Sequence, residues 1–282
     1  MASGDSDAYL QEIERWREAR RQRLTAPNGW VSLVGLAWLK PGNNRVGSAS
    51  DNDIVLAKAP AHLGTVTWSA NGTVSVVLEK EVGATIDGAS RTEAAMLDDS
   101  HQEPTVVAFG TVNFILIDRE GRKALRVRDS EAPTRVNFPG LDYFDVDPAW
   151  RIVADWQPLD PPFQLATGTV IGTIENYQAP GMAIFHHAGE RFTLYPVLET
   201  PDATQLFVIF ADLTSGKETH GAARFLYADM PREGKLVLDF NKAYNPPCAF
   251  TPYATCPLAP PENRLVVRVT AGERKFEAGH QA

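Results

Sequence analysis

Residues 213–264 gather Lys217, Glu218, His220, Arg224, Asp239, Asn241, Lys242, Tyr244, Asn245, Cys248, Tyr253 and Cys256, with six prolines between Asn245 and Pro261. Fixed-φ residues at this density exclude an ordinary helix, and the polar groups are too varied for a plain sheet face, so a rigid loop presenting chemistry is expected. Four chemistries fit the residue types. Cys248 and Cys256 with His186, His187 or His220 could ligate zinc, which accepts mixed sulfur and nitrogen donors, although Cys-x7-Cys is not a standard knuckle spacing. Cys248 could be a nucleophile if Lys217, Lys242 or Arg224 supplied the positive charge that favours a thiolate.

Glu218 and Asp239 beside Lys217 and Arg224 suit acid/base or electrostatic catalysis, and suit a buried ion-pair network equally well. The fourth reading is a pocket for a small polar, anionic ligand, bound by Lys217, Arg224, Asn241, Tyr244, Asn245 and Tyr253, with Tyr227 and Phe250 adding apolar wall. It requires the fewest proton transfers and is preferred. No cofactor is implied, and whether the site catalyses is left open among Glu218, Asp239 and Cys248.

The elements that must hold this loop read as mainly β. Residues 1–27 form an amphipathic helix starting at Asp5 or Ser6, with Tyr9, Leu10, Ile13, Trp16 and Ala19 on one face. Short strands separated by Gly, Asn, Asp and Pro follow at 54–56, 64–69, 73–79, 84–86, 105–109, 112–118 and 124–128, and predict a sandwich over 28–130. Residues 131–150 are aromatic and turn-rich, a packed connector. Arg122, Arg126 and Arg128 beside Asp129 and Glu131 read as an exposed ion-pair ladder. From 151 to 282, strands at 151–156, 168–175, 182–187, 191–198, 206–210, 222–227 and 236–240, with a closing strand at 263–269, predict an antiparallel barrel-like domain. Pairing of 222–227 with 236–240 through Pro231-Arg232-Glu233-Gly234 would bring the turn after Ser215 and the loop after Phe240 to one end of the sheet. After Glu273 a disordered end is expected.

Composition bounds the function. The chain has 282 residues, 44% hydrophobic and 22% charged, with a formal net charge of −8. The acidic balance argues against nucleic acid or an anionic membrane as the main partner, leaving a small-molecule ligand, and nothing indicates an oligomeric state. No apolar run reaches the roughly 18 residues of a membrane span. The N-terminus lacks a signal-peptide core, and two cysteines make no disulfide framework, so a cytoplasmic location is expected.

Two resemblances add to this. The blocks Asn44-Arg45-Val46-Gly47-Ser48, Asn52-Asp53-Ile54-Val55-Leu56, His62-Leu63-Gly64, Val82 to Gly88 and Phe109 to Leu116 resemble those of forkhead-associated-like sandwiches. The resemblance implies an eleven-strand sandwich with phosphothreonine-reading loops, and a His62 that bonds loop backbone. Ser48 stands where the family places Arg, and Ala59-Pro60-Ala61 where it places Ser-Arg, so the phosphate donors are missing. A protein–protein adaptor working through the loops around Ser48 and His62 is the alternative function. The blocks Gly216 to Tyr227, Leu238 to Phe250 and Thr251 to Pro257 resemble the bacterial and archaeal family called domain of unknown function 1684, with similarity read from the N-terminal helix to about Glu273. That family implies no activity, and His220 stands where it is expected to carry Tyr.

Overall fold

The computed structural model describes residues 3–277. The chain divides into two compact units, Leu24–Phe138 and Met1–Arg23 with Pro139–Ala282. The N-terminal helix therefore groups with the C-terminal half, and the expected connector is split at Pro139.

The first unit is a β-sandwich. Its strands are β1 (Leu33–Trp38), β2 (Gly42–Gly47), β3 (Ile54–Val55), β4 (Gly64–Trp68), β5 (Val74–Leu78), β6 (Ala84–Ile86), β7 (Glu93–Ala95), β8 (Val106–Phe109), β9 (Val112–Arg119) and β10 (Arg122–Asp129). They form two five-stranded sheets, β1-β10-β9-β8-β6 and β3-β2-β4-β5-β7. Period-two alternation selects the faces: Val74, Val76 and Leu78 point into a core shared with Val107, Phe114, Leu116 and Leu125, while Ser75 and Val77 point out. A fully buried side chain such as Phe114 contributes about 1.5–3 kcal/mol. The β9–β10 hairpin turns through Glu120 and Gly121, both at positive φ, as a tight antiparallel turn demands.

The arginines of β10 differ from expectation. Arg126 is buried, lies over the Trp30 ring and reaches Asp99 at 3.4 Å; Arg122 covers Trp38; and Asp129 pairs with Lys58 at 2.7 Å. Long cationic stems pack on indole rings here, so no ladder forms along the strand. His62 is exposed and makes no hydrogen bond among the described residues, whereas Asn52 Nδ2 ties the two loops by donating to the carbonyls of Ala49 and Ala61.

The second unit opens with α1 (Ser3–Thr25), so the helix starts ahead of Asp5 and Ser6. Its docking face is Tyr9, Ile13, Trp16 and Arg20; Leu10 is 41% exposed. Six strands follow: β11 (Arg151–Gly168), β12 (Ile174–His187), β13 (Glu190–Leu194), β14 (Gln205–Phe210), β15 (Arg224–Asp229) and β16 (Lys235–Asp239). The sheet β13-β12-β11-β16 and the ribbon β14-β15 curl around one core that includes Ile152, Phe185, Leu206, Phe210, Leu226, Leu238 and Phe240. The ladder stays open, so this is a half-barrel and not a closed barrel.

Four expectations for this unit's strands and tail are corrected. Strand β11 is one 18-residue strand whose register shifts between Pro158 and Phe163, where Pro158, Pro161 and Pro162 lack the N–H a ladder needs. Strand β16 pairs with β11 and not with β15, so the anticipated hairpin does not form. Residues 263–269 keep their alternation, Leu265 and Val269 buried and Val266 80% exposed, but make a single bridge, Ala211 to Arg264, and no strand. Beyond Glu273 the chain stays docked: Lys275 N donates to Glu218 O and the Phe276 ring packs on Phe250, while residues 278–282 lie outside the described residues. Among the described residues no helix is long and apolar enough to cross a membrane.

Candidate functional site

Two loops converge despite the missing hairpin. The backbones of Phe225 and Tyr244 exchange both N–H···O bonds at 2.9 Å, which sets the segment after Phe240 alongside the start of β15. The turn before β15 is built on Asp212, whose carboxylate accepts from Thr214 N at 2.6 Å and from the Thr214 hydroxyl. Thr214 O accepts from the amides of Lys217, Glu218 and Thr219, and Gly216, at φ +80, closes the loop through a bond to Thr219 O. This turn places the partly buried His220.

Arg224 locks the turn from beneath. It is fully buried, donating to Asp212 at 2.8 Å, to Val269 O at 2.9 Å and to Ala271 O. Burial disfavours its charge and the Asp212 carboxylate offsets this. With no surface to offer a ligand, Arg224 is structural; this corrects the ligand-binding expectation.

The same holds for the asparagines. Asn241 donates to Tyr9 Oη and Asp147 O and accepts from Asp147 N, and the buried Asp239 accepts from Tyr9 Oη at 2.8 Å and lies 3.6 Å from Lys242. Asp239 thus anchors α1 and caps the 3-10 turn Phe240–Lys242. Burial and Asp239 together push the Tyr9 phenol up, keeping it a donor. Asn245 is buried, its N–H donating to Glu273 Oε2 at 2.7 Å and its amide to Arg274 O at 2.7 Å. Tyr244 is partly buried, stacked on Tyr227 at 6.2 Å with the Arg20 guanidinium 4.5 Å from its ring centre. The expected pocket constellation is therefore not brought together at one surface.

Glu273, which the sequence reading passed over, is a hub. Fully buried, it accepts from Arg20 Nε at 2.9 Å and from Asn245 N, pinning α1 and the proline-bearing loop to each other. The glycine before it has φ +79, and a Cβ there would sit 2.4 Å from Ala243 O and 2.8 Å from Phe240 O. Gly272→Ala is expected to lower the unfolding free energy by about 3 kcal/mol. Gly234→Ala, at φ +69 with open space around it, should lose only about 1 kcal/mol. Urea denaturation of both variants checks the difference, and equal losses would contradict the steric argument.

What remains at the surface is compact. Cys248 lies in the 3-10 turn Pro247–Ala249, with Pro246 and Pro247 fixing its entry. Its Sγ is 3.4 Å from His220 Nε2. Its backbone N donates to the sulfur of the buried Cys256 at 3.2 Å. The Cys256 hydrogen bond, then the His220 bond and charge, hold the Cys248 thiol down at about 5 against an ordinary 9.0, with burial opposing. Neither cysteine is in a disulfide. Cys256 is held in turn: Val170 N donates to its carbonyl and Leu258 N to Gly168 O, attaching the strap to the β11–β12 turn.

Lys217 is exposed on the His220 turn, and no ion pair involves it among the described residues. Glu218 pairs with Arg268 at 2.8 Å, which ties it to the chain after β16, and Tyr253 is partly buried in the strap. His187 stacks on Trp150 at 4.0 Å, and His186 is exposed on β12. Among the described residues no group of three or more His, Cys, Asp or Glu side chains is arranged to hold a metal ion, so the Cys248, Cys256 and His220 metal reading is not supported by their geometry. The sequence signal for the pair that does form was a cysteine and a histidine in neighbouring glycine- and proline-bounded turns.

Residues 136–274 match the family described as Protein of unknown function (DUF1684). An uncharacterised protein from gene locus rrnAC0354 of Haloarcula marismortui, known from a solution NMR structure, is 32% identical over 52% of this chain and 82% of its own, with a TM-score of 0.44. The chain belongs to the DUF1684 family. The match covers the C-terminal half and not, as expected, the helix and sandwich, so the DUF1684 region holds both His220 and Cys248. Two forkhead-associated domains align over 33% of the chain at 17% identity and TM-score 0.22, covering 92% and 97% of their own lengths. The first comes from a study of phosphothreonine-dependent interactions, and the second is the FhaA domain complexed with the intracellular domain of Rv3910. No functionally curated protein matches.

Proposed function

We propose that this DUF1684 protein processes a small electrophilic, anionic metabolite by covalent catalysis, with the Cys248 thiolate as nucleophile. The single observation that carries the reading is the 3.4 Å approach of His220 Nε2 to Cys248 Sγ on two independently braced loops. An imidazolium beside a thiolate keeps the nucleophile ionised and then supplies the proton a leaving group needs. Acyl esters and thioesters fit this arrangement. Cys248 Sγ adds to the carbonyl carbon, the alcohol or thiol departs with the His220 proton, and water releases the acid. Lys217, exposed three residues before His220, supplies a cation for an anionic substituent.

The test is turnover of p-nitrophenyl esters and short-chain acyl thioesters carrying a carboxylate or phosphate. Cys248→Ala is expected to abolish turnover, and Lys217→Ala to raise KM for the anionic substrates more than for neutral ones. Activity that survives Cys248→Ala would refute the assignment.

A further inference from the structure

We infer that Cys248 and Cys256 form a peroxide-reducing dithiol, Cys248 attacking a small hydroperoxide and Cys256 resolving the product as an intramolecular disulfide. The inference rests on the thiolate reading of Cys248 and adds a second activity to the same residue. It stands on sulfur geometry: Cys256 Sγ accepts a hydrogen bond from the Cys248 backbone N–H at 3.2 Å, which sets the two cysteines beside each other. Buried and anchored through its own carbonyl, Cys256 is shielded from direct oxidation yet in reach of its partner. A nucleophilic thiol poised beside a second cysteine is the arrangement that converts a sulfenic acid to a disulfide before further oxidation.

The steps balance. Cys248 S⁻ attacks one oxygen of the hydroperoxide, the O–O bond breaks, and the leaving hydroxide or alkoxide takes the His220 proton; sulfur is oxidised to the sulfenic acid. Cys256 then attacks the sulfenic sulfur, its proton passing by way of His220 to the departing hydroxide, which leaves as water as the S–S bond closes. Two thiols and one hydroperoxide give a disulfide, water and water or alcohol. A thiol reductant restores the dithiol.

Treating the reduced full chain with hydrogen peroxide at pH 6, where ordinary thiols are almost wholly protonated, tests this. The expected result is loss of both thiols, an intact mass lower by two hydrogens, a peptide crosslinked between Cys248 and Cys256, and reversal by dithiothreitol. In Cys256→Ser, dimedone should instead trap a sulfenic acid on Cys248. Peroxide that carries Cys248 to sulfinic or sulfonic acid in the wild type while Cys256 stays a thiol overturns the pairing and leaves the nucleophile standing. Oxidation no faster than that of free cysteine, together with ordinary alkylation behaviour, overturns both readings.

Discussion

Arg224→Ala is expected to lower the unfolding free energy by about 3–5 kcal/mol, because removing one partner of a buried pair leaves the other uncompensated. Asp212 would keep a charge with no water around it, and the carbonyls of Val269 and Ala271 would lose their donor. Combining Arg224→Ala with Asp212→Asn removes the orphaned charge as well, so the double variant should lose less than the sum of the two single variants. Urea unfolding of the two single variants and the double one checks this; purely additive losses would show that the pair acts as two separate contacts. The same substitution loosens the turn that carries His220, so the reactivity of Cys248 should fall in any folded Arg224 variant.

His220→Ala should slow alkylation of Cys248 by iodoacetamide at pH 6 by about tenfold or more, since the thiolate is the reacting species. In the wild type the rate should rise through a midpoint at about 5, and the variant's midpoint should move up towards ordinary thiol values. The Cys256 hydrogen bond persists in the variant, so a partial shift is expected. A profile unchanged by the substitution would remove His220 from the site. Stability follows the same group. The thiol is lower in the folded chain than in the unfolded one, so its contribution is fully present above the unfolded value of about 9. It declines as pH falls and is lost through about 5. Cys248→Ser should therefore flatten the pH dependence of the unfolding midpoint between those limits.

What the sequence determined by itself was local. Alternation and turn residues placed most sandwich strands within a residue or two, because a one-residue slip would turn Val74, Val76 and Leu78 to solvent. The helix, the proline-bearing strap and the stretch carrying the chemistry were also legible, since each is written in consecutive residues. Side-chain partnership was not. Arg224, Asn241 and Asn245 have the chemistry of ligand contacts, and only the tertiary structure shows them buried against Asp212, Asp147, Arg274 and Glu273. Glu273, a single acid near the end of the chain, gave no local signal of being fully buried beneath Arg20 of the first helix. The pairing of His220 with Cys248 spans 28 positions and rests on the backbone exchange between Phe225 and Tyr244, which lays the segment after Phe240 along the start of β15. Sequence periodicity says which side of a strand faces inward; which two distant loops then touch depends on long-range packing that no local window contains.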